Sequence, residues 1–93
     1  MTADECVEKK FTIRNRLGLH ARPAALFVRT ANRFHSEVMV HKGKQKVNGK
    51  SIMGVMMLAA SPGATIKVIA KGPDAAKAIA AIEALFLNNF GEN

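Results

Sequence analysis

The sequence predicts an α+β fold in two layers, an open-faced sandwich of one sheet covered by helices on a single face. Three observations carry this. Segments whose apolar residues alternate are interleaved with segments whose apolar residues recur every three or four positions, in the order β-α-β-β-α-β-α. The chain has only 93 residues, so these elements must share one core, and the expected organisation is a single domain over 1–93. Apolar residues make up 48% of the chain, enough to fill that core and too many for a disordered segment.

Residues 1–8 read as a polar lead-in without a clear period. Lys10-Phe11-Thr12-Ile13-Arg14 alternates, giving a first strand with Phe11 and Ile13 inward. Gly18 permits a turn that delivers His20 to a helix running from about Ala21 to Asn32, with Ala24, Phe27, Val28 and Ala31 as its buried stripe. Either His20 or Arg22 can cap this helix, because Pro23 suits a first turn but disfavours helical geometry in the residue before it. Residues 36–41 and 44–48 form two strands of a hairpin around Lys42-Gly43, and Asn48-Gly49 closes the second of them. Ser51 is a good N-cap for a short helix over 52–60, apolar almost all round. Residues 64–70 form the last strand, broken by Lys71-Gly72-Pro73. Asp74 then caps a final helix whose apolar face is Ala75, Ala78, Ile79, Ile82, Leu85 and Phe86, and residues after Phe90 are expected to fray.

The net charge of +7 is concentrated in the half that carries His20, since Glu37 is the single acid between Lys9 and Lys50. A basic surface of this kind steers a protein towards acidic partners or polyanions. The lone cysteine, Cys6, has no internal partner for a disulfide, which favours a reducing compartment. No signal-peptide pattern opens the chain and no apolar run approaches the roughly 20 residues of a membrane span, so the expectation is a soluble, cytoplasmic protein without membrane insertion.

The stretch that organises the chain is Asn15-Arg16-Leu17-Gly18-Leu19-His20-Ala21-Arg22-Pro23-Ala24-Ala25. First-turn N–H groups of a helix lack intrahelical acceptors, and the helix dipole makes that end positive. A phosphoryl group there meets ready-made donors, and the guanidinium of Arg22 adds a planar cation suited to phosphate oxygens. A neutral imidazole at His20 has the lone pair needed to take a phosphoryl group and hand it on.

This wording, L-G-L-H-A-R-P-A-A, resembles the active-site motif of the HPr family, the histidine-containing phosphocarriers of the bacterial phosphotransferase system. A second block, Val47-Asn48-Gly49-Lys50-Ser51-Ile52-Met53-Gly54-Val55-Met56-Met57-Leu58, is also family-like, and the resemblance runs over nearly the whole chain. The N-R-L-G-L-H opening and Ala84-Leu85-Phe86 with Phe90 lean towards the nitrogen-type branch. The resemblance implies a four-stranded antiparallel sheet in the order 1-4-2-3, with three helices on one face. It implies that His20 accepts phosphate on Nδ1 from the phosphohistidine of Enzyme I, itself charged by phosphoenolpyruvate, and passes it to Enzyme IIA type acceptors. Arg22 takes the place of the phosphate-stabilising arginine. The protein is then a phosphoryl-transfer intermediate rather than a stand-alone enzyme, expected to act as a monomer with no metal and no cofactor.

As an N-cap, Ser51 needs no further role. In some relatives the matching serine is phosphorylated by a regulatory kinase, which makes Ser51 a candidate modification site and an HPr kinase/phosphorylase a candidate partner. A phosphate there would sit at a helix N-terminus and be tolerated locally. The short second helix cannot hide every side in so small a domain, so Ile52, Met53 and Met56 are assigned to partner docking, together with Ala21, Ala25 and Arg29 of the first helix.

The main alternative is a small nucleic-acid-binding module, suggested by a calculated pI near 10.1. Against it, Trp and Tyr are absent and most Phe fall on core-facing positions, leaving no stacking platform. A hydrolase with His20 as base would lack an adjacent nucleophile. His35 and His41 have no cysteines or carboxylates beside them at metal-binding spacing.

Overall fold

The computed structural model describes residues 5–58 and 60–91. Its elements are strand β1 (Glu5–Thr12), helix α1 (Ala21–Ala31), strands β2 (Glu37–Lys42) and β3 (Gln45–Asn48), helix α2 (Ile52–Met57), strand β4 (Thr65–Gly72) and helix α3 (Ala75–Leu87), followed by a short 3₁₀ turn, Asn89–Gly91. The four strands form one antiparallel sheet in the order β1-β4-β2-β3, as the resemblance implied, and the helices lie on one face.

Alternation on β4 sets the two faces. Ile66, Val68 and Ala70 are buried, while Thr65, Lys67, Ile69 and Lys71 between them turn to the uncovered side. Val38 and Val40 of β2 and Phe11 of β1 join the inward set, and α1 lays Ala24, Phe27, Val28 and Ala31 over it. Helix α3 adds Ala75, Ala78, Ile79 and Ile82, all buried. Phe86 ties the layers together: its ring stacks on Phe11 at 4.3 Å and meets the edges of Phe27 and Phe90 at 6.4 and 4.9 Å. Phe90 reaches that position because Asn89 and Phe90 both adopt left-handed backbone, φ +47° and +56°, and fold the chain back under α3.

The β2–β3 hairpin has a two-residue turn, Gly43-Lys44, with Lys42 opposite Gln45. Gly43 takes φ +59° at the first turn position, which a glycine adopts without steric cost.

Several boundaries differ from the sequence-based expectation. β1 begins at Glu5 and ends at Thr12, so part of the supposed lead-in is strand. As an edge strand it pairs, among the described residues, only with β4, and Val7 is merely half-buried, which blurs its alternation. β4 continues through Lys71 and Gly72 because these pair with Cys6 and Glu5. α2 stops at Met57 and is shorter than predicted. Fraying beyond Gly91 falls outside the described residues.

Asp74 precedes α3 but its side chain does not cap it. The carboxylate accepts instead from the Ser36 hydroxyl at 2.6 Å, the Ser36 N–H at 2.9 Å and the His35 N–H at 3.0 Å. It staples the start of α3 to the α1–β2 connection. No helix among the described residues is long and apolar enough to cross a membrane.

Candidate functional site

The site is assembled by the segment between β1 and α1. Asn15, 1% exposed, donates from Nδ2 to the Gly18 carbonyl at 2.6 Å, while the Gly18 N–H returns to the Asn15 carbonyl at 3.1 Å. Gly18 adopts φ +72°, and a Cβ there would lie 2.3 Å from the Ala60 carbonyl oxygen. The next residue, Leu19, is buried and donates its N–H to that same carbonyl at 2.8 Å. The chain is therefore held on both sides of the glycine just before His20.

His20 is the N-cap of α1, with extended backbone (φ −81°, ψ −166°) and no side-chain cap bond, so its ring is not used up in capping. Of the two sequence readings, the His20 cap is the one observed, with Pro23 as third helical residue. Its carbonyl accepts the first helical bond from the Ala24 N–H at 2.9 Å. Pro23 has no N–H, so Ala21 and Arg22 supply the first-turn amides that helix geometry leaves without an intrahelical acceptor. Both residues are exposed, and the first turn holds no acid to neutralise the positive helix end. His20 itself is half-buried, and its Nε2 has no contact with solvent.

A hollow of about 230 Å³ opens beside the ring, lined by Leu17, Leu19, His20, Met56, Ala60 and Ser61. Met56 comes from α2, which packs against α1. The two helices run with opposite ends together. Asn32, at the C-terminal end of α1, donates from Nδ2 to the Lys50 carbonyl at 3.3 Å, beside Ser51, whereas the C-terminal half of α2 reaches His20. Ser51 caps α2 as predicted, its hydroxyl accepting from the Gly54 N–H at 3.1 Å. It lies along α1 from His20, a helix of 11 residues and about 16 Å.

The residues assigned to docking are on the surface. Ala21 and Arg29 are exposed and Ala25 half-buried, spaced by four along one side of α1. Ile52, Met53 and Met56 are 45%, 70% and 40% exposed, costly for apolar side chains in a molecule that had only to fold. Leu17 and Met57, 70% and 68% exposed, extend this apolar group and were not picked out from the sequence. Leu17 gave no periodic signal because it sits in a loop. Asn15 was also missed as the residue that locks the turn; the one signal it carried is its residue type, since Asn readily bonds nearby backbone in turns.

Known proteins bear on this arrangement. Residues 7–88 match the family model described as PTS HPr component phosphorylation site. The phosphocarrier protein HPr of Treponema pallidum is 49% identical over 86 residues, 92% of this chain and 98% of that protein. The crystal structure of HPr from Thermoanaerobacter tengcongensis superimposes with a TM-score of 0.90 at 49% identity, covering 94% of this chain and 98% of that one. A crystal structure described as an HPr dimer from the same organism gives a TM-score of 0.76 at 51% identity, covering 88% and 94%. With the match running through almost every element of the fold, this chain belongs to the HPr family, the phosphocarrier proteins of the phosphotransferase system.

Proposed function

We propose that this protein carries a phosphoryl group on Nδ1 of His20, received from the phosphohistidine of an Enzyme I type donor and delivered to an Enzyme IIA type acceptor. In the first step the Nδ1 lone pair attacks phosphorus and the P–N bond to the donor imidazole breaks. The second step repeats this with His20 as the leaving imidazole. Where donor and acceptor are both histidines the bonds broken and formed are of one kind, so the exchange is near thermoneutral and runs either way.

The observation that carries the reading is the position of His20: a cap residue whose ring is not engaged in capping, next to Arg22 and to the first-turn amides of two exposed residues, Ala21 and Arg22. Shielding of Nε2 from solvent supports Nδ1 as the attacking atom. After transfer, the amides of Ala21 and Arg22 and the Arg22 guanidinium are the donors for phosphate oxygens. Charged hydrogen bonds of this kind contribute about 1.5–3 kcal/mol each. Ala21, Ala25, Arg29, Ile52, Met53 and Met56 form the docking surface in this reading, and Ser51 is a regulatory phosphorylation site for a kinase of the HPr kinase/phosphorylase type. Residues 1–93 act as one domain, as a monomer in the cytoplasm. The identity of the acceptor decides between sugar uptake and nitrogen-type regulation.

The test is incubation with labelled phosphoenolpyruvate and the host's Enzyme I homologues, followed by site mapping. One acid-labile phosphate on His20 is expected, absent in His20→Ala with the fold intact. Label retained in that variant, or none in the wild type, removes the reading.

A further inference from the structure

The sheet face that no helix covers concentrates positive charge in one line. Cross-strand register sets Lys10 opposite Lys67, Lys67 opposite His41, and His41 opposite Lys46. Directly opposed residues share a face, so four basic side chains form a single row across all four strands. Buried Ile66 and Val68 flank Lys67 in β4, which turns the row to the uncovered side. At a strand spacing of about 4.8 Å the row is about 14 Å long. Like charges in direct register weaken strand pairing, so the arrangement does not serve the sheet. Glu8 supplies local counter-charge, with its Oε2 3.2 Å from Lys67 Nζ.

A second observation turns the row into a site. A hollow of about 220 Å³ lies within it, lined by Lys10, His41, Gly43, Thr65, Ile66 and Lys67. Its lining residues carry two ammonium groups, an imidazole and a hydroxyl, and a Cβ built on Gly43 would meet nothing within 4 Å. Three of the four row residues therefore border a cavity with room for an occupant. This hollow shares no residue with the one beside His20.

We propose that this hollow is a second anion site, taking a compact phosphate anion with two neighbouring charged groups, of the diphosphate type. Its size suits a small anion, and ammonium pairs about one strand apart match adjacent phosphates better than a single charge. RNA fits less well: Phe11, Phe27, Phe86 and Phe90 cluster on the covered side, which leaves the His41 imidazole as the single ring lining the hollow, too little for a run of stacked bases. The site is independent of the role given to His20.

The experiment is a two-dimensional ¹H–¹⁵N titration with inorganic pyrophosphate at low ionic strength, with a hexaglutamate peptide in a parallel arm. Saturable shifts are expected at Lys10, His41, Gly43, Thr65 and Lys67, on a binding curve separate from any at residues 20–22. Lys67→Gln should weaken that curve about three- to tenfold, and Glu8→Gln should tighten it about two- to fivefold, with shifts at 20–22 unchanged. Both side chains are well exposed, at 39% and 56%, and far-UV circular dichroism verifies that the variants fold. Shifts confined to residues 20–22, or no response to Lys67→Gln, overturn the proposal. So does tighter binding of hexaglutamate than pyrophosphate at the same sheet residues, which would make the face an acidic-protein surface.

Discussion

Gly18 and Ala60 approach so closely that a single methyl group on the glycine would lie 2.3 Å from the Ala60 carbonyl oxygen. The clash is with backbone, which cannot rotate away, and Gly18 is also left-handed at φ +72°. Gly18→Ala therefore combines a conformational cost of about 1–2 kcal/mol with a forced shift of the segment that carries His20. The expected outcome is a loss of about 2–3 kcal/mol in urea unfolding, together with slower phosphoryl transfer. Wild-type stability in this variant would show that the approach relaxes without cost.

Asp74 predicts an acid limb in the stability profile. Its pKa is lowered to about 2, first by the Ser36 hydroxyl and then by the His35 N–H, both bonded to its carboxylate. Because the folded value lies below the unfolded value of 3.8, the contribution is complete above pH 4 and is lost as pH falls towards 2. Asp74→Asn should be less stable than wild type at neutral pH, and its stability should fall less between pH 4 and 2. Parallel urea midpoints over that window would remove Asp74 from this role.

The contrast between Asp74 and α3 shows what a sequence reveals. The apolar face of α3 was legible because every residue on it obeys one short-range period, and Ala75, Ala78, Ile79 and Ile82 are buried as that period demands. The position of Asp74 before the helix was equally plain, yet its side chain goes to Ser36, a partner 38 residues away that only the folded chain brings near. Strand order has the same difficulty: pairing Glu5–Thr12 with residues 65–72 is non-local, and the order came from family likeness, not periodicity. At the site, Gly18, His20, Arg22 and Pro23 were legible as a cluster of special residue types. Asn15 and Leu17 were not, because one acts through a buried hydrogen bond and the other through exposure.

Arg22 separates chemistry from folding. It is exposed in the first turn of α1, where alanine is at least as good a helix former, so Arg22→Ala should melt like the wild type. Loss of one charged hydrogen bond to the phosphoryl group should slow transfer about ten- to a hundredfold. Arg22→Lys should recover only part of this, because an ammonium lacks the planar fork. Rapid-quench phosphorylation kinetics decide the matter, and unchanged rates in Arg22→Ala would remove its role.

Ser51 can be divided in the same way. Ser51→Ala removes the bond to the Gly54 N–H and should cost about 1 kcal/mol. Ser51→Asp keeps an acceptor of equal capping quality and adds a charge that the helix N-terminus tolerates, so its unfolding midpoint should stay near wild type. If acidic partners dock over α2, the aspartate should nonetheless weaken binding to Enzyme I, about three- to tenfold by calorimetry at low salt. Equal affinity would leave Ser51 as a cap alone.

Met56 and Leu87 test whether exposed apolar surface near His20 is special or merely tolerated. Met56 is 40% exposed and lines the hollow beside the ring, while Leu87 is 81% exposed at the end of α3 and borders a different hollow with Lys9, Arg14 and Glu83. Neither side chain is buried, so Glu at either position should fold, and both substitutions change charge and hydrophobicity alike. A docking surface centred on His20 predicts that Met56→Glu lowers affinity for Enzyme I about tenfold or more, through lost apolar contact and repulsion of an acidic partner. Leu87→Glu should leave affinity within about twofold, since Leu87 borders a hollow that shares no residue with the one beside His20. Equal losses in the two variants would mean that net charge, not the α1–α2 surface, governs the encounter.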